Sequence, residues 1–439
     1  MSDKNIRLLY IFIAILLGIN NVFIRFKIAG ISYDRLLEFL LFFIFIKPYI
    51  YELRTNRFFR KWNVFIFTFG LLQLIMNLRL AISGDFEFEF VYTLFIKNIS
   101  FIVYSYLFYK IVKSNLLYVD VILTVHLIIL MFAFLQHPLS PISSQMTDIK
   151  RVLYDHVDSE GLDETISMEA TYASSPKFAD RFRLAGPFSS TISFSYFALS
   201  SFFLALYMYH RRLQKRYIVF LVLLFIASVL SQTRSLLLAE VFIVGAYFFF
   251  APTRKHALYK FAIISSIGVL MAIILVNDNF GNVGNSRVTK LNAEGQTDSR
   301  PYLWVTGLYT VIKHPFGITS EDYQQARKEM FYYFGRTEVL YLATHHGLIN
   351  IGFHYTILGY VLFYFFVFFL VRNINLLKPK YSLIFKLFLF SYFIHISFHN
   401  DFIFNADYPI LMVLVLIYLH RYHEHGESQI SNIEKKLNF

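Results

Sequence analysis

LLYIFIAILLGINNVFI, residues 8–24, decides the fold class. It carries no charge, follows the basic start MSDKNIR, and has the length a helix needs to cross bilayer hydrocarbon, about 17–25 residues. No small-residue cleavage site accompanies it, so it reads as a retained first span and not as a signal peptide. Comparable runs recur near 32–50, 64–82, 91–109, 117–136, 191–209, 217–232, 236–251, 258–276, 351–371, 381–398 and 406–420. Together they predict an all-α, polytopic integral membrane protein of about twelve transmembrane helices. The shorter runs need flanking residues or a thin membrane.

Composition leads to the same class. Apolar residues make up 56% of the chain and charged residues 16%, with 52 Phe and 31 Tyr, more apolar surface than a soluble domain covers. The aromatic excess suits membrane interfaces. Cysteine is absent, which excludes disulfides and thiolate metal sites.

Lysine and arginine in the short loops set the orientation. Every second connection is basic: Arg54, Arg57, Arg60 and Lys61; Lys110 and Lys113; Arg211, Arg212, Lys215 and Arg216; Arg254, Lys255 and Lys260; Arg372, Lys378 and Lys380. These loops and both termini are expected in the cytoplasm. The opposite connection SGDFEFEF, 83–90, is acidic, and Arg25 and Lys27 are the one exception. The net charge of +12 is therefore a topology signal spread over separate turns, not a nucleic-acid footprint. The chain reads as a single membrane domain, 1–439, with two long outer loops, 137–190 and 277–350. Loops of that length are usually functional. The first is acidic in its middle, DHVDSEGLDE (155–164).

In the second loop, PYLWVTGLYTVIK reads as a helix with Asp298 or Ser299 as cap and Pro301 in its first turn. Trp304, Leu308 and Val311 fall at helical spacing and predict one apolar face. Arg300 then lies at a helix N-terminus, mildly unfavourable for the dipole unless an anion binds there jointly with the guanidinium. The residues thus predict a phosphate site outside the membrane. Arg234 occupies a minimal turn between two spans, Arg183 precedes another, and His345-His346 stand at the outer end of the run 351–371; all fall on the same expected face. Each has a plainer reading too: arginines at span ends snorkel as anchors, and histidines sit at interfaces. His395 and His399 have metal-ligand i, i+4 spacing but no third partner, and read as a surface pair. No metal or cofactor is expected.

RLAGPFSS (183–190), SQTRSLLL (231–238), SRPYLWVTGLYTVIKHPFG (299–317) and THHGLINIGFHYTILG (344–359), in this order and membrane placement, resemble the O-antigen polymerase and O-antigen ligase superfamily of bacterial surface-polysaccharide assembly. The resemblance covers about residues 180–372. It implies a GT-C-type, inverting, metal-independent glycosyltransferase of the inner membrane with its active site at the periplasmic face. The donor implied is an undecaprenyl-diphosphate-linked oligosaccharide, among membrane lipids, with a chain-length regulator and a flippase as pathway partners. By position, Arg234 and Arg300 match diphosphate-binding arginines and His345 the base. Arg183 matches a further arginine, while His346, Asp298 and Glu338 stand as additional substrate contacts. The family often has His-Asn where this chain has His345-His346, a glycine where it has Thr356, and a second glycine after Gly317-Ile318. His345 and His346 both remain candidates.

The chemistry is consistent without the family. A lipid diphosphate is an activated leaving group whose growing charge arginines stabilise without a metal. A histidine titrating near neutrality orients or deprotonates the attacking hydroxyl. Two large outer loops favour a polymerase over a ligase that transfers finished chains to lipid A core. A flippase or other transporter is the third reading, disfavoured because the notable charges sit on one face and no repeated halves are visible.

Overall fold

The computed structural model describes residues 3–19, 27–28, 31–83, 88–154, 170–171, 182–250, 300–399 and 409–436. In chain order the elements are α1 (Asp3–Ile19), β1 (Lys27–Ile28), β2 (Ile31–Ser32), α2 (Tyr33–Leu40), a π-helical turn (Leu41–Phe45), α3 (Ile46–Thr55), α4 (Arg57–Ser83), α5 (Phe88–Ser114), α6 (Leu117–Gln136) and α7 (Ser143–Tyr154). There follow α8 (Thr191–Arg212), α9 (Lys215–Ser231), α10 (Arg234–Phe250), α11 (Arg300–Lys313), α12 (Ser320–Phe334), α13 (Glu338–Tyr341), α14 (Gly347–Ile374), α15 (Pro379–Ile396) and α16 (Pro409–Lys436). Apart from the β1–β2 hairpin the described elements are helical, as the apolar runs require. Each run overlaps described helix except 258–276, which lies outside the described residues, as do Asp298 and the acidic stretch 155–164. Three helices, α6, α8 and α14, are long and apolar enough to cross a membrane by length and composition. The run 32–50 is not one regular helix: the π turn interrupts it.

The chain divides into two compact units. The first comprises Met1–Phe39, Leu107–Ala293 and Leu383–Ser391. Here α1 packs on α6, with Tyr10 meeting Tyr118 edge to face at 5.7 Å. α6 meets α8, where the buried His126 ring takes Ser201 Oγ at 2.8 Å. That pairing gives His126 a structural partner inside the bundle. At one end of this unit Asp120 binds Arg212, Arg216 at 3.1 Å, and the Tyr217 hydroxyl, joining the basic α8–α9 connection to the start of α6.

The second unit comprises Leu40–Tyr106, Glu294–Ser382 and Tyr392–Phe439. α4 and α14 run antiparallel, with Phe58 on Phe369, Trp62 stacked on Phe366 at 5.5 Å, and Phe69 on Tyr355. Aromatic faces of this kind contribute about 0.5–1.5 kcal/mol per pair beyond area burial. Trp62 Nε1 donates to Ser105 Oγ at 3.2 Å, which brings in α5. α16 lies beside them, Tyr418 on Phe58 and Arg421 bonded to Asn373. Arg57, Arg60, Lys61, Arg372 and Arg421, distant in sequence, thereby meet at one end of this unit.

α14 breaks at Thr356, whose backbone (φ 63°, ψ −176°) lies in a region that essentially only glycine occupies. The break is satisfied locally. Ile357 N–H donates to Pro315 C=O at 2.9 Å, and Leu358 N–H to Thr356 Oγ1 at 3.3 Å. The threonine therefore holds strain that glycine would not, on the order of 1–3 kcal/mol. Thr356→Gly is expected to raise the thermal midpoint of the purified protein, whereas Thr356→Ala, which keeps a Cβ, leaves it unimproved. Equal midpoints for all three would remove the strain.

Candidate functional site

The first unit contributes two arginine-bearing segments, and they adjoin. α9 ends at Ser231, Gln232 takes a left-handed conformation (φ 53°), and after Thr233 the chain restarts as α10 at Arg234. Arg234 is exposed in that first helical position. The RLAGPFSS segment folds onto this turn. Leu184 N–H donates to Leu230 C=O at 3.1 Å, and Gln232 Nε2 reaches Phe182 C=O at 3.4 Å. Half-buried Arg183 lies between those two anchors in sequence. Gly186 sits at φ 59°, and a Cβ there would lie 2.8 Å from that of Ala133 on α6, so the motif glycine serves both conformation and contact. Tyr154 on α7 donates to Pro187 C=O at 2.9 Å, and Ser190 caps α8 through Ser193 N–H at 3.2 Å. The weak motif is a packed loop that fixes Arg183 beside the Arg234 turn.

The second unit holds Arg300, Glu338, His345 and His346. α11 starts at Arg300, with Pro301 in its first turn as the sequence suggested. Its buried face differs from the expectation: Leu303, Thr306, Gly307, Thr310 and Val311 face inward, while Leu308 is 46% exposed. The cause is a close helix crossing. A Cβ on Gly307 would stand 2.5 Å from Thr344 Cγ2, and one on Gly352 of α14 would stand 2.6 Å from Val311 Cγ1. Glycine and threonine therefore take the middle of the inner face, and Leu308 turns outward. Val311, Ile318 and Ile349 close the core beneath, with Trp304, Tyr323, Phe353 and Tyr360 around them.

Because Thr344 precedes His345, this crossing sets the distance between the start of α11 and the histidine pair. Gly307→Val is expected to force the helices apart, at about 1–3 kcal/mol of overpacking. It should lower both the thermal midpoint and turnover, with Gly307→Ala intermediate; an unchanged midpoint for the valine variant would contradict the crossing.

The two histidines have different tasks. His346 is the N-cap of α14, its Nδ1 accepting Ile349 N–H at 3.4 Å, and its ring meets Trp304 edge-on at 5.0 Å. His345 is half-buried, in a left-handed conformation (φ 48°), and makes no such cap. Burial, and then the charge of Arg300, hold the His345 imidazole below its usual protonation range. Burial lowers His346 as well. Glu338 begins the one-turn α13, half-buried.

Two supports were not legible in the residue pattern. Arg327 on α12 donates to the carbonyls of Leu340 at 3.2 Å and Leu342 at 2.8 Å, tying down the end of α13 that leads to His345, while its guanidinium stacks over Tyr323 at 3.9 Å. α12 itself is tied to α11 through Glu329, which accepts from Tyr309 and Lys313 at 2.6 Å each. Those two donors pull the Glu329 carboxyl down to about 2. The Thr319–Asp322 capping box that starts α12 was a readable signal.

His395 and His399 are buried, 0% and 9% exposed, with ring centroids 4.6 Å apart, and so are not a surface pair. Phe398 between them packs on Trp304, which draws this end of α15 under α11. Among the described residues no group of three or more His, Asp or Glu could hold a metal ion.

Residues 218–364 match the family model described as O-Antigen ligase. This segment belongs to the O-antigen polymerase and ligase superfamily. Superfamily membership carries glycosyltransferase- or ligase-type activity in surface-polysaccharide biosynthesis at a membrane. The O-antigen ligase segment runs from within α9 into α14. It includes Arg234, Arg300, Glu338, His345 and His346, and Arg183 lies outside it. No curated protein and no solved structure matches the chain.

Proposed function

We propose that the protein is an O-antigen polymerase. It transfers a saccharide from undecaprenyl diphosphate to a sugar hydroxyl of a second lipid-linked repeat unit, at the periplasmic face of the inner membrane. The observation that carries the reading is the pairing, within a superfamily segment, of Arg300 at a helix start with a nearby imidazole of lowered proton affinity. Arg300 and Arg234 each occupy the first position of a helix, where the positive end of the helix dipole and the guanidinium suit the same anion. In this mechanism they hold the diphosphate and stabilise the charge that grows as the anomeric C–O bond breaks. His345, neutral at physiological pH, accepts the proton of the attacking hydroxyl as the new glycosidic bond forms. The leaving group is undecaprenyl diphosphate, and the anomeric configuration inverts.

The cap formed by His346 supports His345 as the working histidine. Asparagine, which the family often has at this position, is also a strong N-cap, so the departure preserves the structural task. Arg183 supports the loop beside Arg234 and extends the cationic surface; Asp298, Glu338 and His346 complete the substrate contacts, and no metal is required.

The ligase is the alternative, and a deletion strain separates the two. Loss of a polymerase leaves core capped by single repeat units, and loss of a ligase leaves bare core. A mixture of long chains and bare core would contradict the polymerase.

A further inference from the structure

At the end of α14 farthest from the histidines, the second unit forms a pocket of about 460 Å³. α14 has 28 residues, so roughly 40 Å of helix separates the two sites. The volume lies within the roughly 300–1,000 Å³ usual for small-molecule sites. Five cations line it: Arg57, Arg60 and Lys61 from the first turns of α4, Arg372 from the last turns of α14, and Arg421 from α16. Among the described residues that line it there is no carboxylate. Arg421 is 4% exposed and is held by its bond to Asn373, so the pocket floor is built and not a chance of flexible surface chains.

The remaining wall is apolar and opens outward. Val64, Phe365 and Phe368 line the pocket and are each more than half exposed. From there α4 continues with exposed Phe67, Leu71 and Ile75 at helical spacing, and α14 with exposed Val361 and Tyr364. A cationic cup continuous with an apolar face fits an amphiphile whose head is anionic and whose tails lie along the helices. A soluble anion uses only the cup.

We propose that this pocket holds the headgroup of an acidic glycerophospholipid of the inner leaflet. The basic-loop pattern puts this end in the cytoplasm, where anionic lipid is available and basic pockets between spans recruit it. The lipid fastens α4, α14 and α16 at the end opposite the reaction. The inference does not rest on the transferase reading: it concerns another site and is read by lipid retention, not by activity.

The test uses the full chain in nanodiscs of phosphatidylcholine alone, or with phosphatidylglycerol or cardiolipin, followed by native mass spectrometry and thermal unfolding. The wild type is expected to keep acidic lipid and to unfold at a higher temperature with it than in phosphatidylcholine, with or without inorganic phosphate. Arg60→Gln with Arg372→Gln should reduce retention about tenfold, and Arg60→Lys with Arg372→Lys should keep most of it. The midpoint of the glutamine variant in phosphatidylcholine should match the wild type. Equal retention in both variants would overturn the proposal. So would an equal response to inorganic phosphate, or displacement of the acidic lipid by equimolar undecaprenyl phosphate.

Discussion

His345→Ala lowers turnover by about 10²–10⁴-fold, the usual share of a positioned general base, while leaving the thermal midpoint near that of the wild type. The expectation follows from the division of labour at the head of α14. His346 spends Nδ1 on the helix N-terminus, and His345 does not. His346→Ala should therefore do the reverse: it removes a cap, at about 0.5–2 kcal/mol, and lowers the midpoint more than the rate constant, whereas His346→Asn restores the cap. The pH profile adds a second readout. A base must be neutral to accept a proton, and burial with the Arg300 charge favours the neutral form. The acid limb of kcat/KM, which reports the free enzyme, should lie below the ordinary histidine value of about 6.5. Bound diphosphate opposes the Arg300 charge, so the limb of kcat should lie higher. A histidine limb above the ordinary value in the free enzyme would contradict the assignment.

Arg300→Ala should cost roughly 10–150-fold in kcat/KM, the equivalent of about 1.5–3 kcal/mol for a hydrogen bond to a charged group. The loss should fall mainly on kcat, because the charge it meets is largest as the bond to the diphosphate breaks. Arg300→Lys keeps a point charge without the planar fork and should recover only part of the rate. The alanine variant also removes one of the two causes that depress His345, so its acid limb should move up toward the ordinary histidine value. That coupled shift is what a merely structural arginine would not produce. Purified Arg300→Ala with unaltered rate and profile would remove Arg300 from the site.

The fold was largely legible because its signal is local. A bilayer requires long uncharged runs, and nearly every such run is a described helix. The loops at residue level were legible where a short-range rule applied, as with Pro301 at the start of α11. What stayed hidden depends on partners far away in sequence. Leu308 was read as inward from its spacing, but the close crossing at Gly307 and Gly352 reserves that face for small side chains. The break at Thr356 carries neither proline nor glycine, so hydropathy and helix-breaker rules do not place it. Arg327 takes its task only from the carbonyls of Leu340 and Leu342, which folding brings to it. His395 and His399 read as surface residues because their burial comes from packing that sequence spacing does not show.

The most direct measurement is of purified protein in liposomes, supplied with an undecaprenyl-diphosphate-linked repeat unit and followed for chain length and released undecaprenyl diphosphate. A ladder of repeats is expected, with one undecaprenyl diphosphate freed per bond, without added metal, and formed at least tenfold more slowly in Arg300→Ala and His345→Ala. No ladder from wild-type protein, or a full-strength ladder from both variants, would contradict the account.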